Sequence, residues 1–162
     1  MTTILIDGYN LLGKSNRKER EELIQDVVSY RRNKKMDIVI FFDGTHGGTR
    51  FGDTLYVENV KIVYTPLHET ADDHMISMIE QNINEDLIII SSDRKIQNAA
   101  ARHMYAFFSS EEFMLRLSSR TQGQNKDEIE PVYAPKKTTK KKGNPRKKSK
   151  KDRKNLSKLK KL

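Results

Sequence analysis

The sequence contains no cysteine. Disulfide frameworks, cysteine-ligated zinc and thiol catalysis are therefore excluded. It has no apolar run approaching the ~20 residues that a membrane-spanning helix needs. At the N-terminus Ile4, Leu5 and Ile6 meet Asp7 at once, without the basic region and cleavage site of a secretion signal. The four histidines, His46, His68, His74 and His103, share no metal-ligand spacing, so surface or packing roles are their default. The expectation is a soluble, cytoplasmic protein.

Charge is what the chain has in abundance. Lys and Arg total 31 against 22 Asp and Glu in 162 residues, for a net +9. The division is abrupt. Residues 136–162 hold 15 bases and one acid, Asp152, and carry +14. Residues 1–135 hold 16 bases and 21 acids, and carry −5. An acidic domain is joined to a basic tail, which calls for a polyanionic partner. The tail has almost nothing apolar before Leu156, so it cannot bury enough surface to offset chain entropy and reads as disordered. The expected organisation is a domain over 1–121, a polar linker over 122–135 and the tail over 136–162.

Within the domain, short continuous β-rich runs cover residues 3–6, 38–42, 61–64, 87–91 and 106–109. They do not alternate, which suits strands buried on both faces of a parallel sheet. Helical patterns lie between them. Residues 17–32 space Leu23, Ile24, Val27 and Tyr30 helically, and residues 71–83 put Ile76, Ile79 and Ile83 on one stripe. Shorter helices are expected over 95–103 and 111–117. Strands alternating with helices predict right-handed crossovers and a three-layer α/β sandwich with a central, mostly parallel sheet.

Three of these strands run into an aspartate: Asp7, Asp43 and, two residues on, Asp93. In a parallel sheet all such ends share one edge, and ligands of open α/β sheets bind at that edge. A fourth acid comes from Glu69-Thr70-Ala71-Asp72-Asp73. Thr70 with Asp73 three residues later resembles a capping box. Asp72 precedes Ile76, Ile79 and Ile83 by 4, 7 and 11 residues and so shares their inward face, which makes it the expected functional acid. Asp73 is the expected cap or a supporting ligand. Clustered carboxylates repel one another unless a cation lies between them. Oxygen ligands without Cys or grouped His indicate Mg²⁺ or Mn²⁺, which can activate water and neutralise a phosphodiester.

Bland readings stand beside these. Asp7-Gly8 and Asp43-Gly44 both read as turns, and Asp93 reads as a helix cap. Asn10 either tolerates a left-handed turn or orients Asp7. Ser91 and Ser92 read as turn residues that hold Asp93, or as phosphate ligands. Arg94 and Gln97 are either substrate contacts or ordinary surface. The Gly- and Thr-rich segment 44–52, with Arg50, lacks a phosphate-loop pattern and reads as a flexible hairpin loop.

The run Ile6-Asp7-Gly8-Tyr9-Asn10-Leu11-Leu12 resembles the opening motif of the NYN domain family, a branch of PIN-like nucleases. Val39-Ile40-Phe41-Phe42-Asp43 is similar to its second strand. Glu69-Thr70-Ala71-Asp72-Asp73, with Ile76 and Glu80, resembles the acidic helix of the YacP-like subgroup. Ser91-Ser92-Asp93 with Gln97 resembles its fourth motif. The resemblance covers about residues 1–117 and leaves out the tail. It implies a PIN-like sandwich and a metal-dependent endoribonuclease, similar to one that cleaves mRNA on the translating ribosome. Carried over residue by residue, it implies Asp7, Asp72 and Asp93 as catalytic, metal-binding acids, with Asn10, Asp43 and Asp73 supporting. Ser92, Arg94 and Gln97 are the expected substrate contacts. Asp72-Asp73 departs from the Asp-Glu that the subgroup often has. The alternatives are a non-catalytic RNA- or ribosome-binding module and, last, a DNA-directed nuclease.

Overall fold

The computed structural model describes residues 1–44, 50–81, 86–121 (119–121 by backbone only) and 157–158. In chain order the elements are β1 (Thr2–Asp7), α1 (Gly8–Lys14), α2 (Arg20–Arg31), β2 (Met36–Phe42), β3 (Asp53–Val57) and β4 (Val60–Tyr64). They continue with α3 (Ala71–Gln81), β5 (Asp86–Ile90), α4 (Arg94–Arg102), β6 (Ala106–Phe108) and α5 (Ser110–Thr121).

The strands form one sheet in the order β3-β4-β2-β1-β5-β6. All pairings are parallel except β3 with β4. The alternating pleat of each β-rich run feeds two cores. Ile4, Ile6, Ile38, Ile40, Phe42, Ile88 and Ile90 pack under α1, α2 and α5. Leu5, Val39, Phe41, Val63, Leu87 and Ile89 pack under α3 and α4. The result is the three-layer sandwich expected from the buried, non-alternating runs. β1 lies between β2 and β5, so the strands ending near Asp7, Asp43 and Asp93 are neighbours. From β1 the chain moves out through β2 to the edge strand β3, comes back one place to β4, then crosses to β5 and β6 on the other side. The crevice between the carboxyl ends of β1 and β5 is thus the point where strand order reverses.

Two elements differ from expectation. Asp7-Gly8 is not a turn but the start of α1, with Asp7 as N-cap. β3 was not expected at all. It is an exposed antiparallel edge strand, so burial imprints no continuous apolar run on it. Elsewhere the expected ends move by a few residues: α2 begins at Arg20, and α5 runs on to Thr121. Ile83 and most of the 44–52 loop lie outside the described residues. So do the linker from Gln122 and the tail apart from Ser157 and Lys158. Those two residues are helical, and Lys158 is buried and ion-paired with Asp86 at the start of β5, the far edge of the sheet from the acids. Among the described residues no helix is long and apolar enough to cross a membrane.

Candidate active site at the carboxyl edge of the sheet

Asp7 ends the central strand and is only 5 % exposed. Its Oδ1 accepts from the Asn10 amide (3.0 Å), and its Oδ2 accepts from the Ser91 hydroxyl across the β1/β5 crevice (3.0 Å). Gly8 must follow it. A Cβ at that position would stand 2.5 Å from the Phe42 ring and 2.7 Å from the Phe41 carbonyl oxygen. The glycine therefore lets α1 start hard against β2.

Each strand-end acid also meets the start of a helix. Asp43 Oδ1 accepts from the Ala71 amide of α3 (3.3 Å) and lies 3.4 Å from the Thr65 hydroxyl. Asp43-Gly44 is thus a junction to α3 rather than a plain turn. A Cβ on Gly44 would run into the Thr65 carbonyl oxygen at 1.8 Å. Asp93 is the N-cap of α4, with Oδ1 accepting from the Lys95 (2.6 Å) and Ile96 (3.4 Å) amides. The cap reading of Asp93 is correct, and its place at the acid edge is compatible with it: among the described residues nothing donates to its Oδ2.

Thr70 caps α3, its hydroxyl accepting from the Asp73 amide (3.1 Å). The buried stripe of α3 is Ala71, Met75 and Ile79, with Ile76 and Met78 partly buried beside it. Asp72 therefore borders the stripe instead of lying in its centre. It is half-buried, while Asp73 is exposed. Among the described residues the carboxylates of Asp72 and Asp73 accept no hydrogen bond.

The five acids act on one another. Burial raises the Asp72 carboxyl above its ordinary range, and the charges of Asp7, Asp93, Asp43 and Asp73 raise it further, in that order. Burial also raises Asp7. The Asn10 and Ser91 hydrogen bonds oppose that shift, and the charges of Asp93 and Asp43 add to it. Among the described residues no Lys, Arg or His forms an ion pair with any of the five.

Asn10 and the serines tie the crevice together. Asn10 Oδ1 accepts from the Ser92 amide (3.1 Å) and the Ser110 hydroxyl (2.7 Å). Ser92 Oγ donates to Glu111 (2.6 Å) and accepts from the Ser110 amide (3.1 Å). The Ser92 and Lys14 contacts hold the exposed Glu111 carboxyl down at about 2. Gln97 donates to the Ser91 carbonyl (2.8 Å). Of the three expected substrate contacts, only Arg94 has an exposed side chain; Ser92 and Gln97 are half-buried and bonded within the site. Ser110, Glu111 and Thr65 were not expected here. Ser110 and Thr65 are fully buried polar residues, but no local pattern marks a partner a hundred positions away.

Among the described residues no three His, Cys, Asp or Glu side chains are set to grip one ion. A small hard cation does not require such a cage. Mg²⁺ keeps several waters and takes one or two carboxylates directly. The oxygens of Asp72, Asp93 and Asp43 that accept no hydrogen bond among the described residues, beside a buried Asp7, fit that mode of binding.

A sandwich whose order reverses at its central strand, with acids delivered to that edge, has the architecture of a PIN-like nuclease. The chain belongs to the YacP-like NYN domain family, whose profile matches residues 4–162 and so extends through the basic tail. NYN domains are PIN-like nucleases. The fold is similar to that of Rae1 (YacP) from Bacillus subtilis, with TM-score 0.60, 23 % identity, 75 % of this chain covered and 76 % of that one. The W164L mutant of the same Bacillus protein matches with equal TM-score and identity, over 78 % of its chain. No curated protein matches the chain by sequence.

Proposed function

We propose that the chain is a Mg²⁺- or Mn²⁺-dependent endoribonuclease with Asp7, Asp72 and Asp93 as its catalytic, metal-holding acids. The observation that carries this reading is five carboxylates at one sheet edge with no basic partner among the described residues. Such a cluster is costly for a fold to keep unless a cation completes it. A bound divalent ion there supplies charge neutralisation at the phosphodiester and a more acidic water.

The chain's own groups do the positioning. Asp7 is clamped from both sides by Asn10 and Ser91, so its carboxylate is fixed before substrate arrives. Asp43 and Asp73 supply further negative charge at the rim. Asn10 Oδ1 is occupied by two donors, which leaves its Nδ2 hydrogens to meet a phosphate oxygen. Arg94 reaches a neighbouring phosphate from the exposed start of α4, while Ser92 and Gln97 hold the crevice. Hydrolysis breaks the P–O3′ bond and leaves a 5′-phosphate and a 3′-hydroxyl. mRNA is the substrate, cut in the cytoplasm at the ribosome, with the +14 tail offsetting the repulsion between RNA and a −5 domain.

The test is cleavage of one mRNA, naked and on translating ribosomes, by the full chain with Mg²⁺ or Mn²⁺. Native protein should cut, and Asp72→Asn should lose activity by orders of magnitude. A chain that binds RNA or ribosomes but cuts neither substrate would favour the binding-module reading instead. Normal cleavage by Asp72→Asn with a dead Asp73→Asn would move the functional role to the neighbour.

A further inference from the structure

Aromatic rings and guanidinium groups gather beside the acid edge. Phe42, which precedes Asp43, stacks on its register partner Tyr64 with centroids 5.7 Å apart and 21° between planes. Tyr9, two residues after Asp7, meets Phe42 edge-on at 5.2 Å. Arg20 opens α2 with its guanidinium 5.6 Å from the Tyr64 centroid and Nη1 donating to the Tyr9 hydroxyl (3.5 Å). Tyr9, Arg20 and Tyr64 are all partly buried, each with some surface open to solvent. Among the described residues Arg20 has no acidic partner within ion-pair distance.

Phe51 immediately precedes the glycine that packs on the end of β4. Phe51 itself is 86 % exposed. The next residue, Gly52, has φ +79°, and a Cβ there would meet the Tyr64 carbonyl oxygen at 2.8 Å. The chain at Gly52, one residue after the exposed Phe51, therefore lies directly against the Tyr64 backbone.

We propose that Arg20, Tyr64 and Phe51 form a nucleobase subsite that stacks unpaired RNA bases flanking the phosphate at the acid edge. Bases stack on aromatic rings and on guanidinium planes without regard to sequence. Bases in a duplex are already stacked on one another and cannot be offered to it, so the subsite selects single strands. The inference rests on the nuclease reading for its substrate class, but it concerns binding and is testable without turnover.

The experiment measures equilibrium binding of the full chain to a short single-stranded RNA carrying 2-aminopurine, and to its duplex, without divalent metal. At about 0.5 M salt the Debye length shrinks to a few ångströms, so the tail's contribution is largely screened. Arg20→Ala and Phe51→Ala should each weaken single-strand binding on the order of tenfold and relieve 2-aminopurine quenching, with duplex binding unchanged. Arg20→Lys should not restore binding, because an ammonium keeps the charge but lacks the planar face. Native affinity in Arg20→Lys, or equal losses for single strand and duplex, would overturn the subsite. Because Phe51 is exposed, its variant tests stacking without risk to the core. A protein that shows these losses but never cleaves RNA supports the subsite while the nuclease reading fails. One that cleaves while its variants bind like native removes the subsite alone.

Discussion

At Asp72, burial and four neighbouring carboxylates act on a single side chain. Its raised pKa means that the folded chain holds this proton more tightly than the unfolded chain does. The stabilisation is complete below the ordinary value of 3.8 and is lost as pH rises through the raised one. At neutral pH the ionised Asp72 therefore opposes folding. Asp72→Asn should raise Tm at pH 7, and the gain should vanish as pH falls towards 3.8. A variant less stable than native at pH 7 would contradict the crowding of charge. Thr70 makes a separate contribution through the cap of α3, and Thr70→Ala should cost ~1 kcal/mol in thermal or denaturant unfolding. At this scale the acids and the Thr70 cap were legible, because a strand-end aspartate and a capping pattern are local signals. The hydrogen bonds of Asp7 to Ser91 and of Asn10 to Ser110 were not, since each joins residues more than 80 positions apart.

Among the elements, the buried strands were legible, the three-residue β6 included, and the exposed β3 and the short α1 were not. β1, β2 and β5 carry continuous apolar runs, and β4 one broken only by Lys61, because both faces of the sheet are covered there. β3 has exposed residues throughout most of its length, so the pleat imposes no hydrophobic pattern on it. α1 was hidden by Asp7-Gly8, a dipeptide that favours turns in isolation; here the glycine answers a tertiary demand, the closeness of Phe42. Gly8→Ala tests that account. The added methyl has no space against the Phe42 ring and the Phe41 carbonyl, so the variant should lose ~1–3 kcal/mol, as overpacked sites do. It should also loosen the Asp7–Asn10 contact and lower cleavage. A variant of native stability would mean that β2 yields easily there. The inward stripe of α3 was only partly legible. Isoleucines marked it in the sequence, but Met75 and Ala71 face the core and shift it by one residue towards Asp73's opposite side, leaving Asp72 at its border.

For the whole molecule, the adjacency of β2, β1 and β5 turns three separate strand ends into one site. Local patterns could suggest that order but not establish it, because long-range pairing is a property of the complete sheet. The charge division also belongs to this scale. If ~7 of the tail's 15 bases engage phosphates, log affinity for single-stranded RNA should fall with log salt at a slope near −5. Removing residues 136–162 should flatten that slope and weaken binding across all sequences alike. An unchanged slope in the truncated chain would contradict the tail's role as an electrostatic anchor. The central claim, that the carboxyl edge hydrolyses RNA with a divalent cation, is tested most directly by single-turnover cleavage of end-labelled RNA as Mg²⁺ is titrated, for native chain and Asp7→Asn. The account predicts a saturable dependence on Mg²⁺, loss of cleavage in EDTA, products with 5′-phosphates and a fall of orders of magnitude in Asp7→Asn. Cleavage that persists in EDTA and leaves 2′,3′-cyclic phosphates would contradict it, because the attacking oxygen would then be the RNA's own 2′-hydroxyl.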